Sequence, residues 1–159
     1  MYEVGDKIVY PMYGAGVIES IEEKEILGEK KKYYVMKMPF GEMRLMVPIN
    51  KAGSIGIRAV VDKSVADRVL NSLEDRNIEQ TSNWNKRYRE NMTKIKSGNV
   101  FDVAEVVKDL IIRDRQKGLS TVEKKMLNSA KRILISELVF AENMEPDEVE
   151  DLINYRIKL

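Results

Sequence analysis

The chain has 159 residues, a 43% apolar fraction, a formal net charge of +1, and neither cysteine nor histidine. Without cysteine there can be no disulfide, thiolate metal ligand or thiol nucleophile, and without histidine the commonest general base and metal ligand are also missing. No run approaches the ~18 apolar residues of a membrane span and the first residues carry no signal-peptide pattern, so a cytoplasmic, non-enzymatic protein with no cofactor and no membrane contact is expected.

The net charge hides an asymmetry. Residues 81–135 hold 13 cations against 6 anions, residues 136–159 hold 2 against 7, and residues 1–60 are nearly balanced at 9 against 8. A compact basic segment is a footprint for polyanions, although solvated helix faces produce the same count.

In chain order, residues 1–60 read as β. Short strands are expected at 7–10, 16–21, 32–38, 43–48 and 56–60, with turns at Pro11-Met12-Tyr13-Gly14 and Phe40-Gly41-Glu42 and a charged connection around Leu27-Gly28-Glu29. Five short strands at such spacing predict a small antiparallel barrel or sandwich. A module of ~60 residues is marginal alone and is expected to lean on a neighbour or partner.

From Asp62 onward the apolar period becomes helical. Ser64-Val65-Ala66-Asp67 resembles a capping box, with Val65, Val69, Leu70 and Leu73 as its stripe. Residues 74–80 are polar and read as a connection. A helix beginning near Trp84 ends at Gly98, one over 100–117 ends at Gly118, one follows the capping box Ser120-Thr121-Val122-Glu123, and Pro146 opens a last acidic helix. The fold class is therefore α+β, with a β module over 1–60 and a bundle of four to five helices over 61–159.

The window Asn83-Trp84-Asn85-Lys86-Arg87-Tyr88-Arg89 is the most informative. It holds the only tryptophan, with three cations within five residues of it. Trp84, Tyr88, Met92 and Ile95 fall on one helical stripe, flanked by Lys86, Arg87, Arg89, Lys94 and Lys96. Thr81, Ser82 and Asn83 can each cap the helix, which leaves Trp84 in its first turn. Two readings stay open there: an aromatic that wedges against a nucleic-acid base while cations meet phosphates, or a ring packing the helix tip onto a neighbour.

Other motifs carry less. Gly14-Ala15-Gly16 lacks a third glycine in register and reads as a turn, and no phosphate-loop pattern occurs. Glu22, Glu23 and Glu25 read as a solvated strand end, and the acids after Pro146 complement a helix dipole.

Val4-Gly5-Asp6, Val9-Tyr10-Pro11 with Gly14, and Val47-Pro48 resemble the N-terminal module of the CarD/CdnL family of bacterial transcription regulators, whose relatives also occur in transcription-repair coupling factors. Asn83-Trp84, Arg87-Tyr88, Lys94-Ile95, Ser97-Gly98, Ala104 to Leu110, Gly118-Leu119-Ser120, Glu123-Lys124 and Met126-Leu127 resemble its helical half, in collinear order. The resemblance implies a Tudor-like or SH3-like barrel docking on the RNA polymerase β-subunit lobe, and a helical domain reaching promoter DNA at the upstream edge of the transcription bubble. It implies that Trp84 is the wedge and that Lys86, Arg87 and Arg89 neighbour phosphates; Lys94, further along the same basic helix, is another candidate for DNA contact. Where relatives often place polymerase-docking arginines, this chain has Lys24 and Met46, and Arg44 shares a strand face with Met46.

The reading that follows is a monomeric, polymerase-bound factor that stabilises the open promoter complex. The rivals are a freestanding DNA-binding transcription factor, which would need a recognition helix and usually a dimer, and a pure protein-interaction module with a structural tryptophan.

Overall fold

The structure, a computed structural model, describes residues 1–75 and 83–157. Most of the polar connection expected over 74–80 lies outside them, as do Thr81 and Ser82. Five strands come first: β1 (Lys7–Tyr10), β2 (Gly14–Ile26), β3 (Glu29–Lys37), β4 (Arg44–Pro48) and β5 (Arg58–Ala59). They form one antiparallel sheet in the order β4-β3-β2-β1-β5. The expected small barrel is thus a five-stranded sheet left open at β4 and β5; β5 contributes only two residues, both paired with β1.

The connection around Gly28 is a tight two-residue turn. Leu27 and Gly28 both take positive φ, 54° and 79°, the twist that joins antiparallel strands closely. β2 and β3 consequently run well past the expected strands. Glu23 then faces Lys32 and Glu25 faces Lys30, and opposite charges directly across a ladder favour that register. The acidic run is therefore the solvated end of β2, as expected, where it forms one side of a charged hairpin.

One face of the sheet, carrying Ile8, Ile18, Tyr34, Met36 and Val47, packs with Ala52 and Ile57 into the smaller of two cores. A turn of 3-10 helix over Ile49–Lys51 and a short helix α1 (Ala52–Ile55) supply part of this core. The strand pattern did not anticipate α1, because Gly53 and Ser54 are weak helix formers. Gly56, at φ 90°, ends it, so the last strand starts at Arg58 and not at 56.

The helical half contains α2 (Lys63–Ser72), α3 (Trp84–Lys96), α4 (Val100–Lys117), α5 (Thr121–Glu142) and α6 (Pro146–Arg156). Val69, Leu73, Val107, Leu110, Leu134, Leu138 and Ile153 are among the buried residues of their shared core. The box expected at Ser64 is displaced. Asp62 caps α2 by accepting from the Val65 N–H at 2.9 Å, and Asp67 pairs with Lys63 at 3.2 Å. A carboxylate in the preceding position is the stronger acceptor for the exposed amides of the first turn.

Helix α5 belongs to both halves. Met126, Ala130, Ile133, Leu134 and Leu138 lie in the helical core. On another side, residues spaced four apart meet the sheet half. The Arg132 guanidinium lies 5.2 Å from the Phe40 ring centroid, the Ser136 hydroxyl accepts from the Ala15 N–H at 2.8 Å, and Lys7 stands over the Phe140 ring. A Cβ on Gly14 would come within 2.6 Å of the Ser136 Oγ, so only glycine allows this approach. Beside these, Arg58 holds Glu137 in a bidentate pair at 2.6 and 2.7 Å. Glu137 also accepts from the Val61 N–H at 3.0 Å, and Arg58 Nε donates to the Gly98 carbonyl at 2.7 Å.

The Glu137 side chain is only 4% exposed, so removing its cation strands a carboxylate in the interior. Arg58→Ala is expected to lower the unfolding free energy by about 3 kcal/mol, with Glu137→Gln milder because the amide keeps part of the hydrogen bonding. Urea unfolding of the two variants checks this; equal and negligible losses would show the pair to be dispensable.

Candidate functional site

Asn83 caps α3, its side-chain oxygen accepting from the Lys86 N–H at 3.1 Å. Trp84 is therefore the first helical residue, and it is 40% exposed. Its indole stacks on Tyr88 with centroids 5.4 Å apart and an interplanar angle of 16°. Further along the stripe Met92 is half-buried and Ile95 buried. The stripe thus runs from solvent at its Trp84 end into the core, and Tyr88 backs one face of the indole. Of the two readings the sequence left open, the geometry among the described residues is that of an exposed ring held by a second ring.

The flanking cations divide. Lys86 and Arg89 are exposed in the first two turns of α3, on other sides of the helix from the indole; Lys86 makes a 4.0 Å surface pairing with Glu90. Lys94, toward the other end of α3, pairs with Glu105 of α4 at 3.0 Å. Arg87 departs from expectation. Its side chain is 3% exposed and makes a bidentate pair with Glu123, at 3.0 and 3.1 Å. A guanidinium so enclosed is not presented to a phosphate. It fastens the first turn of α3 to the first turn of α5.

The same pair explains an incomplete capping box. Ser120 caps α5 by accepting from the Glu123 N–H at 3.2 Å, but the Glu123 carboxylate turns to Arg87 instead of to the backbone. The sequence signal for this was slight: Arg87 precedes the apolar Ile95 by eight residues, about two turns, and only the structure shows that Asn91 between them is buried too.

The second set of expected residues lies on the sheet. The register pairs Lys37 with Arg44, Val35 with Met46 and Tyr33 with Pro48, and on the other side Ser20 with Val35, Glu22 with Tyr33 and Lys24 with Lys31. Residues directly opposite share a face, so Lys24, Arg44 and Met46 do share one, with Lys24 about 13 Å along β2 from the row of Met46. Tyr33, Val35 and Met46 form an apolar centre, with Lys24, Lys31, Lys37 and Arg44 around it. α5 covers the β1 side of this face, Ser136 meeting Ala15 and Phe140 lying under Lys7; Val35 is buried, and the open part of the apolar centre is carried by Met46 and Tyr33.

Arg44 is engaged. Glu19 is an extra residue at a bulge between Ile18 and Ser20, and it accepts from Arg44 at 2.7 and 3.2 Å. That hydrogen-bonded guanidinium holds the Glu19 carboxyl below the usual carboxylate range. The bulge turns an acid toward the arginine, fixing the side chain of Arg44 at the edge strand.

The contrast between the inward and outward arginines of α3 is directly measurable. Arg87→Ala is expected to destabilise the fold by about 3–5 kcal/mol, because it leaves Glu123 buried and unpaired. Arg89→Ala, two residues on and exposed, should stay within about 0.5 kcal/mol. Urea unfolding of both variants tests the assignment, and equal losses would overturn it.

Comparison with known proteins bears on both surfaces. Residues 2–61 match the family described as "CarD-like/TRCF RID domain", and residues 68–154 match "CarD, C-terminal domain". The chain is 44% identical over 138 residues to the Bacillus subtilis (strain 168) protein named "Putative transcription factor YdeB", covering 87% of this chain and 90% of that one. Among solved structures, it is similar to the solution structure of the 72-residue N-terminal domain of Myxococcus xanthus CarD, at 34% identity and TM-score 0.33, covering 37% of this chain and 79% of that one. It is also similar to the structure titled CdnLNt from the same organism, at 41% identity and TM-score 0.34, covering 38% and 86%. With family matches over both its sheet and its helices, in the order the sequence resemblance required, the chain belongs to the CarD/CdnL family of transcription regulators.

Proposed function

We propose that this regulator docks on the β-subunit lobe of RNA polymerase through its sheet and presents Trp84 to promoter DNA at the upstream edge of the bubble, stabilising the open complex without enzymatic activity. The observation that carries the reading is the half-exposed indole of Trp84, stacked on Tyr88 at the tip of a helix whose first turn is tied to α5 through Arg87.

The sheet suits protein docking in two ways. β4 is an edge strand, so its outer backbone groups can pair with a partner strand. The adjoining face has an apolar centre within a charged rim, the usual anatomy of an interface.

The DNA side is weak by itself. Two exposed cations in the first turns of the Trp84 helix, Lys86 and Arg89, with Lys94 further along, are few for autonomous binding, and electrostatic contact of this kind gives Kd on the order of 10⁻⁴–10⁻⁶ M. Docking on polymerase raises the local DNA concentration to roughly millimolar, where such a site is occupied. An aromatic stacked at the fork then contributes ~1–3 kcal/mol, roughly 5- to 150-fold in the open-to-closed ratio.

Trp84→Ala separates this role from a structural one. Losing the Tyr88 stack should cost only about 0.5–1.5 kcal/mol of stability, and β-lobe binding should remain, while the open-complex lifetime on a single promoter falls at least about 5-fold. A collapse of melting temperature with equal loss of every activity would return Trp84 to the core.

The docking face has its own test. Reversing charge at Lys24 and Arg44 together is expected to weaken β-lobe binding about tenfold or more, while leaving affinity for free DNA unchanged. Wild-type lobe affinity in the double variant would place docking elsewhere.

A further inference from the structure

Beside the indole of Trp84 lies a groove of about 320 Å³ between α3, α5 and the turn that joins β1 to β2. Tyr88, Met92, Met126 and Ile133 give it an apolar lining. Tyr88 both backs the indole and walls the groove, so the groove and the indole are separated by one ring. The volume is at the lower limit for small-molecule sites. It has room for one ring system and not for a partner's helix.

The charge of the groove narrows the occupant. Lys125 is the lining residue that carries a full charge, and no carboxylate lines it. The nearby acids are engaged: Glu123 with Arg87, and Glu90 beside Lys86. A cationic ligand would find no partner, whereas a neutral ring bearing a phosphate would have an apolar bed and an ammonium at the rim.

The wall contributed by the β1–β2 turn adds an independent sign of use. Met12 has φ 78°, a left-handed conformation that non-glycine residues seldom adopt, and its side chain lines the groove. Backbone strain of this kind persists where surrounding structure holds it, often at binding sites.

We infer that the groove receives one unpaired base of the melted promoter strand, the ring lying among Met92, Met126 and Ile133 and the phosphate turned to Lys125. The inference rests on the promoter-fork reading of Trp84 and supplies something that reading lacks. A factor shifts the melting equilibrium only by binding the open state better than the closed one. An exposed indole can stack on the end of a paired duplex as well as on a free base. A groove walled on three sides and of one ring's size admits a base only once it has left its pair, so it makes the contact selective for melted DNA.

The test uses the full chain, RNA polymerase, and a promoter carrying 2-aminopurine at successive positions along the upstream edge of the bubble. Wild type should change the fluorescence strongly at one position. Ser129→Phe, an exposed site on the groove wall, should fill the groove, abolish that change and shorten the open-complex lifetime at least about 5-fold, with β-lobe affinity unaltered. Should Ser129→Phe lower the melting temperature, the exposed Lys125→Glu gives the same two readouts by repelling the phosphate. If Trp84→Ala shortens the lifetime but both groove variants keep wild-type lifetime and fluorescence, the wedge stands and the groove proposal falls. If the groove variants instead lose β-lobe affinity, the groove takes a polymerase side chain and the proposal is overturned. If neither Trp84→Ala nor the groove variants change the lifetime, the fork reading fails and takes this inference with it.

Discussion

The ion pair between Arg58 and Glu137 is the constraint on which the rest of the molecule depends. Arg58 lies in the last strand, and Glu137 sits in the helix that crosses the sheet. The same carboxylate holds the Val61 N–H, where the chain leaves the sheet, and the same guanidinium holds the carbonyl of Gly98, in the turn between α3 and α4. One enclosed cluster therefore joins the sheet, the linker, the long helix and the foot of the helix that carries Trp84. A buried charge pair adds little net stability over an apolar packing of the same volume. Its value here is directional, since a bidentate fork fixes angles that apolar side chains leave adjustable.

That geometry matters because the two proposed contacts of this regulator lie on different halves. α3 spans about 20 Å. Near its far end Gly98 lies against Pro11, where a Cβ would come within 3.3 Å of the ring, and Arg58 reaches its carbonyl. Its near end is tied to α5 through Arg87 and Glu123. Trp84 is consequently displayed from a helix secured at both ends to elements that also grip the sheet. A weak DNA contact benefits from docking only as far as the docked geometry points it at the fork, because tethering raises local concentration but does not orient.

The cations illustrate how net charge and available charge differ. The basic segment over 81–135 carries a large excess of positive residues, yet its arginine nearest Trp84 on the inward side is spent on an internal pair and Lys94 on Glu105. What remains exposed in the first two turns of α3 is Lys86 and Arg89. On the sheet, the pair with Glu19 restricts the side chain of Arg44 at the rim of the proposed docking face. Lower side-chain freedom before docking reduces the entropy lost on docking.

Much of the architecture was legible in the residues themselves. Alternation placed β1 at its observed bounds, the caps Asn83 and Ser120 and the stops Gly98 and Gly118 bounded α3 to α5, and Pro146 opened α6, because these signals act within a few residues of where they stand. Trp84 at a helix tip was equally readable, since position in a first turn follows from the cap. What the sequence left undetermined was every property set by residues distant along the chain. The exposure of Trp84 depends on Tyr88 turning to back it and on no element among the described residues covering the tip. The withdrawal of Arg87 from the surface required Glu123, 36 residues away, to be brought against it. The joining of the two halves required Arg58 and Glu137, 79 residues apart, and the groove beside Trp84 exists only where α3, α5 and the Met12 turn converge. Local hydrogen bonding and periodicity decide elements; which charges are paired and which rings stay open is decided by packing, and only the tertiary structure contains it.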